Sequence, residues 1–141
     1  MKDGVIILRG HSGVGEQIEA KVLVSHHGFS ARYDLDRERG IFSRESHDLY
    51  GMSYVGLILV HPTAKGGVAT SWMLHQMKSR GMAPAGLIFR VTNPIMVQGA
   101  VLAGIPLMAD LDTDPTEIIQ TGDRVFMDPC RGEVRVFKTQ R

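Results

Sequence analysis

This sequence predicts a single mixed α/β domain, and three observations point to it. Short apolar runs bounded by glycine or proline come first, two strand–helix units fill the middle, and an alternating hairpin ends the chain. The 141 residues match one ordinary domain and can bury a real core. No repeat, linker or low-complexity stretch divides residues 1–141.

Val5-Ile6-Ile7-Leu8 reads as a buried strand ended by Gly10, and Gln17 to Val24 alternates as a half-buried strand does. Between them lies the glycine-rich connection Gly10-His11-Ser12-Gly13-Val14-Gly15. A phosphate-binding loop needs helix N–H groups behind it. No helix signal follows, so a hairpin-type turn is expected. Ser25 to Tyr50 is polar, with Arg32, Asp34, Asp36, Arg37, Glu38 and Arg39 close together. That composition predicts a long surface excursion with little core, of the kind that often carries function. Tyr54 to Val60 is an apolar strand closed by Pro62.

Thr70 or Ser71 can cap a helix running to about Arg80, with Gly81 and Pro84 as stop signals. Met73, Leu74 and Met77 share one face of it. Gly86 to Val91 is the next strand. Asn93-Pro94 then supplies a cap and a first-turn proline for a second helix that Gly104 closes. Ile105 to Ala109 is a short strand, and Asp114-Pro115-Thr116-Glu117 marks a brief helical turn. The end reads as strand Arg124–Asp128, a turn at Pro129-Cys130-Arg131-Gly132, and strand Glu133–Phe137.

A formal net charge of +1, with both signs interspersed, argues against nucleic acid as the main partner. The single cysteine, Cys130, excludes an internal disulfide and an all-cysteine metal or cluster site within this chain. The apolar run Val5–Leu8 is too short for a signal-peptide core or a membrane span, so a cytoplasmic domain is expected. His26-His27 makes a poor ligand pair, because neighbours on a strand point to opposite faces, and no metal site is expected. Trp72, Met73, Met77 and Met96 read as core or interface filling.

Several ordered segments resemble the swivelling domain of the aconitase X family. They are Gly13-Val14-Gly15-Glu16, the loop from Ser30 through Asp36 to Gly40, and His47 with Gly51. Leu57 to Val60, Pro62 and Lys65-Gly66-Gly67-Val68-Ala69-Thr70-Ser71 follow, then Ala83-Pro84-Ala85 and Gly99-Ala100. The resemblance covers the chain from the Gly10 loop to about Val125. Two places depart from the family pattern: Gly67 stands where a serine is usual, and Ser30-Ala31-Arg32-Tyr33-Asp34 replaces Ser-Phe-Trp-Gly-Gly.

The resemblance implies a ββα swivelling domain, three-layered or barrel-like, with a mixed sheet and two main helices. It also implies the small subunit of a hydro-lyase that docks on a larger catalytic subunit and closes over a small hydroxy acid. Cis-3-hydroxy-L-proline is the first substrate so implied, and mevalonate 5-phosphate the alternative. An iron or iron–sulfur centre is then expected on the larger subunit, since Cys130 alone cannot hold one.

Family likeness also marks Ser71, at a helix N-terminus, as the catalytic hydroxyl. Simple helix capping is the competing role for it. Arg32 and Arg44 suit a carboxylate grip, although a solvated loop arginine is the plainer reading of each. Ser30, His47, Gly66, Gly67 and Thr70 complete the expected substrate-binding set, with a surface turn as the plain reading of His47. Two other classes stay in view. One is a phosphocarrier, faintly suggested by Ser25-His26 but lacking the flanking glycine pair and helix. The other is a non-catalytic ligand-binding module.

Overall fold

The structure, a computed structural model, describes residues 5–11, 13–65 and 68–139. In chain order the strands are β1 (Val5–Arg9), β2 (Ile18–Val24), β3 (Leu35–Asp36), β4 (Ile41–Phe42), β5 (Ile58–Thr63), β6 (Gly86–Val91), β7 (Leu107–Ala109), β8 (Arg124–Asp128) and β9 (Glu133–Phe137). The helices are α1 (Val68–Ser79), α2 (Pro94–Ala103) and the short α3 (Pro115–Ile118). No helix among the described residues is long and apolar enough to cross a membrane.

Seven strands form one sheet in the order β1-β9-β8-β2-β5-β6-β7, and β3–β4 is a separate small hairpin. β2, β5, β6 and β7 run parallel, with α1 crossing from β5 to β6 and α2 from β6 to β7, while β1, β9, β8 and β2 pair antiparallel. Beyond β1 the chain crosses to the far edge, where Gly10 bridges Leu111 and Val14 bridges Leu107. Val14 and Leu107 exchange both backbone hydrogen bonds at 2.9 Å. These bridges draw the two sheet edges together, so the sheet is barrel-like.

This closure corrects the hairpin-type turn expected at Gly10–Gly15. β9 and β8 stand between β1 and β2, so the segment is a seam. Its glycines answer to close approach: a Cβ on Gly13 would collide with the Leu107 carbonyl oxygen, and Gly15 sits at φ 95° against Pro106.

Alternation along the parallel strands sends side chains to two cores. Ile58, Val60 and Ile88 join Leu8, Val22, Val125, Met127, Val134 and Val136 on one face. Leu59, Leu87 and Phe89 join Leu74, Met77, Met96 and Ala100 of the two main helices on the other.

The Ser25–Tyr50 excursion is not the surface segment its composition suggests. Phe29, Ala31, Leu35, Phe42 and Leu49 are buried in the helix-side core, and Ser25, Ser30, Asp34 and His47 are buried with them. Burial of so polar a stretch is possible because its side chains bond its own backbone, as described below.

Helix α2 begins and ends as its signals require: Asn93 accepts from the Met96 N–H at 2.8 Å, and Gly104 closes it at φ 71°. α3 has Asp114 as its cap and Pro115 in its first turn. α1 differs, because it already starts at Val68. Thr70 and Ser71 lie inside its first turn, and neither is its N-cap.

Candidate functional site

The site lies where β2 and β5 end and the excursion folds back over them. Asp34, 2% exposed, organises it. Its Oδ2 accepts from the Ser30 N–H at 2.8 Å and its Oδ1 from Arg44 Nη1 at 3.3 Å, while its carbonyl accepts from the Ser43 and Arg44 N–H groups. Arg44 Nε also donates to Ser46 Oγ at 3.1 Å. The guanidinium is thus pinned at two corners, with Nη2 left over.

Asp48 ties the other end. Its Oδ1 accepts from Ser25 Oγ at 2.6 Å and its Oδ2 from the His26 N–H at 2.8 Å. Burial works to raise its pKa, but these two hydrogen bonds and the nearby His27 and His47 outweigh it and hold the carboxyl below its usual range.

Three histidines gather here, and their partners settle their tautomers. His47 Nδ1 accepts from the Leu49 N–H at 3.1 Å, so its Nε2 carries the proton and donates to the Gly28 carbonyl at 3.1 Å. His27 Nδ1 accepts from the Asp48 N–H at 3.2 Å, which leaves its Nε2–H as a donor. His61, on β5, is fully buried among Phe29, Phe42 and Phe89, with ring centroids 5.0–6.2 Å away. Its Nδ1 donates to the His27 carbonyl at 3.0 Å, and its Nε2 has no hydrogen-bond partner among the described residues. Burial holds this imidazole neutral, with its pKa down at about 4.

Above these groups opens a cleft of about 290 Å³ lined by His27, Gly28, Asp34, Arg44, Ser46, His47 and Lys65. Lys65 reaches it across Gly28, where a Cβ would come within 2.8 Å of Lys65 Cε and 2.9 Å of Thr63 Oγ1. A side chain at this position would push Lys65 and Thr63 aside.

His27, His47 and Asp48 hold ligand-type atoms within 4.8 Å of one another, the spacing of a metal site. The donor set argues otherwise. Both Nδ1 atoms already accept backbone N–H groups, and both Asp48 oxygens are engaged. Cys130 is exposed in the β8–β9 turn, beside a different cleft lined by Gly15, Gln17 and Asp128. These residues do not fit an iron or cluster site.

Of the expected site residues, Arg44 and His47 meet in the cleft. His47 is a buried part of its frame, which corrects the surface-turn reading. Ser30 is 4% exposed and serves the loop: its N–H goes to Asp34 and its Oγ accepts from the Tyr33 N–H at 3.3 Å. Arg32 points its guanidinium over the Tyr33 ring at 5.4 Å and does not line the cleft. Thr70 is buried within α1, and Gly66 and Gly67 lie outside the described residues. Ser71 is half-buried at the α1–α2 contact, with its Oγ donating to the Ile95 carbonyl at 3.2 Å. Sequence reasoning missed His27, Gly28, Ser46 and Lys65. Only Lys65, which precedes the glycine pair Gly66-Gly67 in the sequence, carried a local signal.

A mixed sheet drawn into a barrel, with paired helices and a cleft-bearing excursion on its other face, defines a swivelling domain of the aconitase type. The chain belongs to the aconitase X swivel-domain family, whose sequence model matches residues 7–136. The phosphomevalonate dehydratase small subunit of Methanosarcina mazei is 36% identical over 85% of this chain and 83% of its own length. That of Methanopyrus kandleri is 40% identical over 87% of this chain and 90% of its own length. Among solved structures, Thermococcus kodakaraensis aconitase X in its holo form superposes with TM-score 0.87 at 31% identity, covering 94% of this chain and 99% of that one. The chain is a small subunit of an aconitase-X-type dehydratase.

Proposed function

We propose that this chain completes the active site of a larger catalytic subunit, and that the pair dehydrates a phosphorylated hydroxy acid of the mevalonate 5-phosphate kind. The shared designation of its relatives carries this reading. Chains 32–40% identical over 84–92% of its length are named phosphomevalonate dehydratase small subunit. Those names favour the phosphorylated acid over cis-3-hydroxy-L-proline, the substrate that the sequence resemblance puts first.

The reaction removes a proton from one carbon and hydroxide from its neighbour, leaving a double bond and water. It needs a base, help for the leaving hydroxyl, and donors that hold the anionic ends. In this reading the chain supplies anion-holding donors, through Arg44 and the groups around it. The Ser71 hydroxyl is engaged with Ile95, so we assign Ser71 to helix packing and proton transfer to the partner. The iron centre belongs to the partner in this reading, which the single cysteine and the engaged His27–His47–Asp48 group support. Trp72 and Tyr33, each 66% exposed, are the large apolar side chains expected where a partner docks.

Co-expression with the larger subunit and assay of both acids tests the proposal. Water loss from mevalonate 5-phosphate by the complex, and by neither chain alone, is the expected result. A complex that dehydrates only cis-3-hydroxy-L-proline would overturn the substrate, and turnover by this chain alone would overturn the shared site.

A further inference from the structure

We infer that Lys65, Arg44 and His27 form a cradle for a phosphate monoester, positioned by the missing side chain at Gly28. This rests on the two-subunit reading above and assigns one end of its substrate to this chain.

The side-chain acceptors that line the cleft are engaged. Asp34 holds Ser30 and Arg44, and the Gly28 carbonyl takes the His47 Nε2–H. Three side-chain nitrogens are left: Lys65 Nζ, Arg44 Nη2 and the His27 Nε2–H. None has a hydrogen-bond or ion-pair partner among the described residues. A cleft with unpartnered donors and occupied acceptors selects an anion. Lys65 and Arg44 against Asp34 leave one net positive charge at its wall.

The donor geometry narrows the class further. A carboxylate is gripped best by two parallel N–H groups of one guanidinium. Arg44 has given Nε to Ser46 and Nη1 to Asp34, so it offers a single remaining nitrogen. Three single-point donors on three segments suit the divergent oxygens of a tetrahedral phosphate, for which lysine is an effective point charge. At about 290 Å³ the cleft is small for a whole ligand site and large enough for a phosphate and its ester carbon. The remainder of the substrate then faces the partner subunit.

The test uses the assembled two-subunit enzyme. Lys65→Ala should raise KM for mevalonate 5-phosphate on the order of 10–100-fold, the scale of one lost charge-assisted hydrogen bond, with kcat within about threefold. Gly28→Ala should act in the same direction without removing a charge, because its methyl displaces Lys65. Lys65→Arg should recover part of the loss, and Lys78→Ala, at the other end of α1, should leave KM unchanged. Unphosphorylated mevalonate, measured as an inhibitor, should bind equally well before and after Lys65→Ala. Equal weakening of both would assign the cradle to the carboxylate and overturn the phosphate assignment. An unchanged KM for both Lys65→Ala and Gly28→Ala, in an enzyme that turns over the phosphorylated acid, would overturn the cradle and leave the function standing. Should the wild-type complex ignore that acid, the functional reading fails on its own. Calorimetric binding of inorganic phosphate, lost or kept on Lys65→Ala, then decides the cradle.

Discussion

Asp34 and Asp48 hold the excursion as a hydrophobic stripe holds a helix. Asp34 buries its charge only because N–H groups converge on it, and Asp48, nearer the surface, gathers a hydroxyl and an N–H in the same way. Asp34→Ala should cost about 1.5–3 kcal/mol, the range for hydrogen bonds to a charged group, read from urea unfolding of the chain. A loss under about 0.5 kcal/mol, typical of surface sites, would show that the loop stands without it. His61 makes a separate prediction. Folded, it stays neutral down to a pKa of about 4, while in the unfolded chain it titrates near the ordinary value of about 6.5. Between those values the unfolded state binds more protons. Stability present above the unfolded value therefore falls as pH drops through that window, by on the order of 3 kcal/mol at its acid end. Asp48, Asp123 and Glu133, all held below their usual range, add their losses at lower pH. His61→Gln should flatten the unfolding-versus-pH curve between about pH 6.5 and 4 while leaving the more acidic limb. An unchanged curve would mean that another group titrates there.

At the level of elements, α2, α3 and the β8–β9 hairpin were legible because their signals are local. Asn93-Pro94 with Gly104, and Asp114-Pro115, state a start or a stop within a few residues. The excursion was not legible. Its buried residues follow no period of two or 3.6, and its polar groups find partners far along the chain, as Ser25 finds Asp48. Ser71 shows the same limit: serine before an apolar stretch reads as a cap, yet what it touches is α2. Ser71→Ala should lose about 0.5–1.5 kcal/mol with kcat of the assembled enzyme nearly intact. A fall of about 10²–10⁴-fold in kcat would instead make its hydroxyl catalytic. Gly99→Ala probes the same contact from the other side. Its Cβ would stand 2.9 Å from Ser71 Cα, and backbone cannot yield as a side chain does. A loss of about 1–3 kcal/mol is expected, read as a lower Tm.

For the whole molecule, composition and element order were enough for the fold class, but pairing was not. Nothing near Val5–Leu8 says that its neighbour is Glu133–Phe137, because the pairing joins strands at opposite ends of the sequence and carries no local signal. The cleft was half legible for the same reason. Arg44 and His47 stood out by residue type, whereas Gly28 matters only through Lys65 passing over it.

The pairing of Val5 with Phe137 also orders events in time. During synthesis β1 leaves the ribosome long before β9 exists, so its apolar run waits unpaired until β9 is made. Contacts of such long range form late and slow folding, and a waiting apolar strand is a template for the wrong neighbour. A nascent or truncated chain lacking β9 should therefore aggregate through β1, a vulnerability that lasts until β9 has emerged.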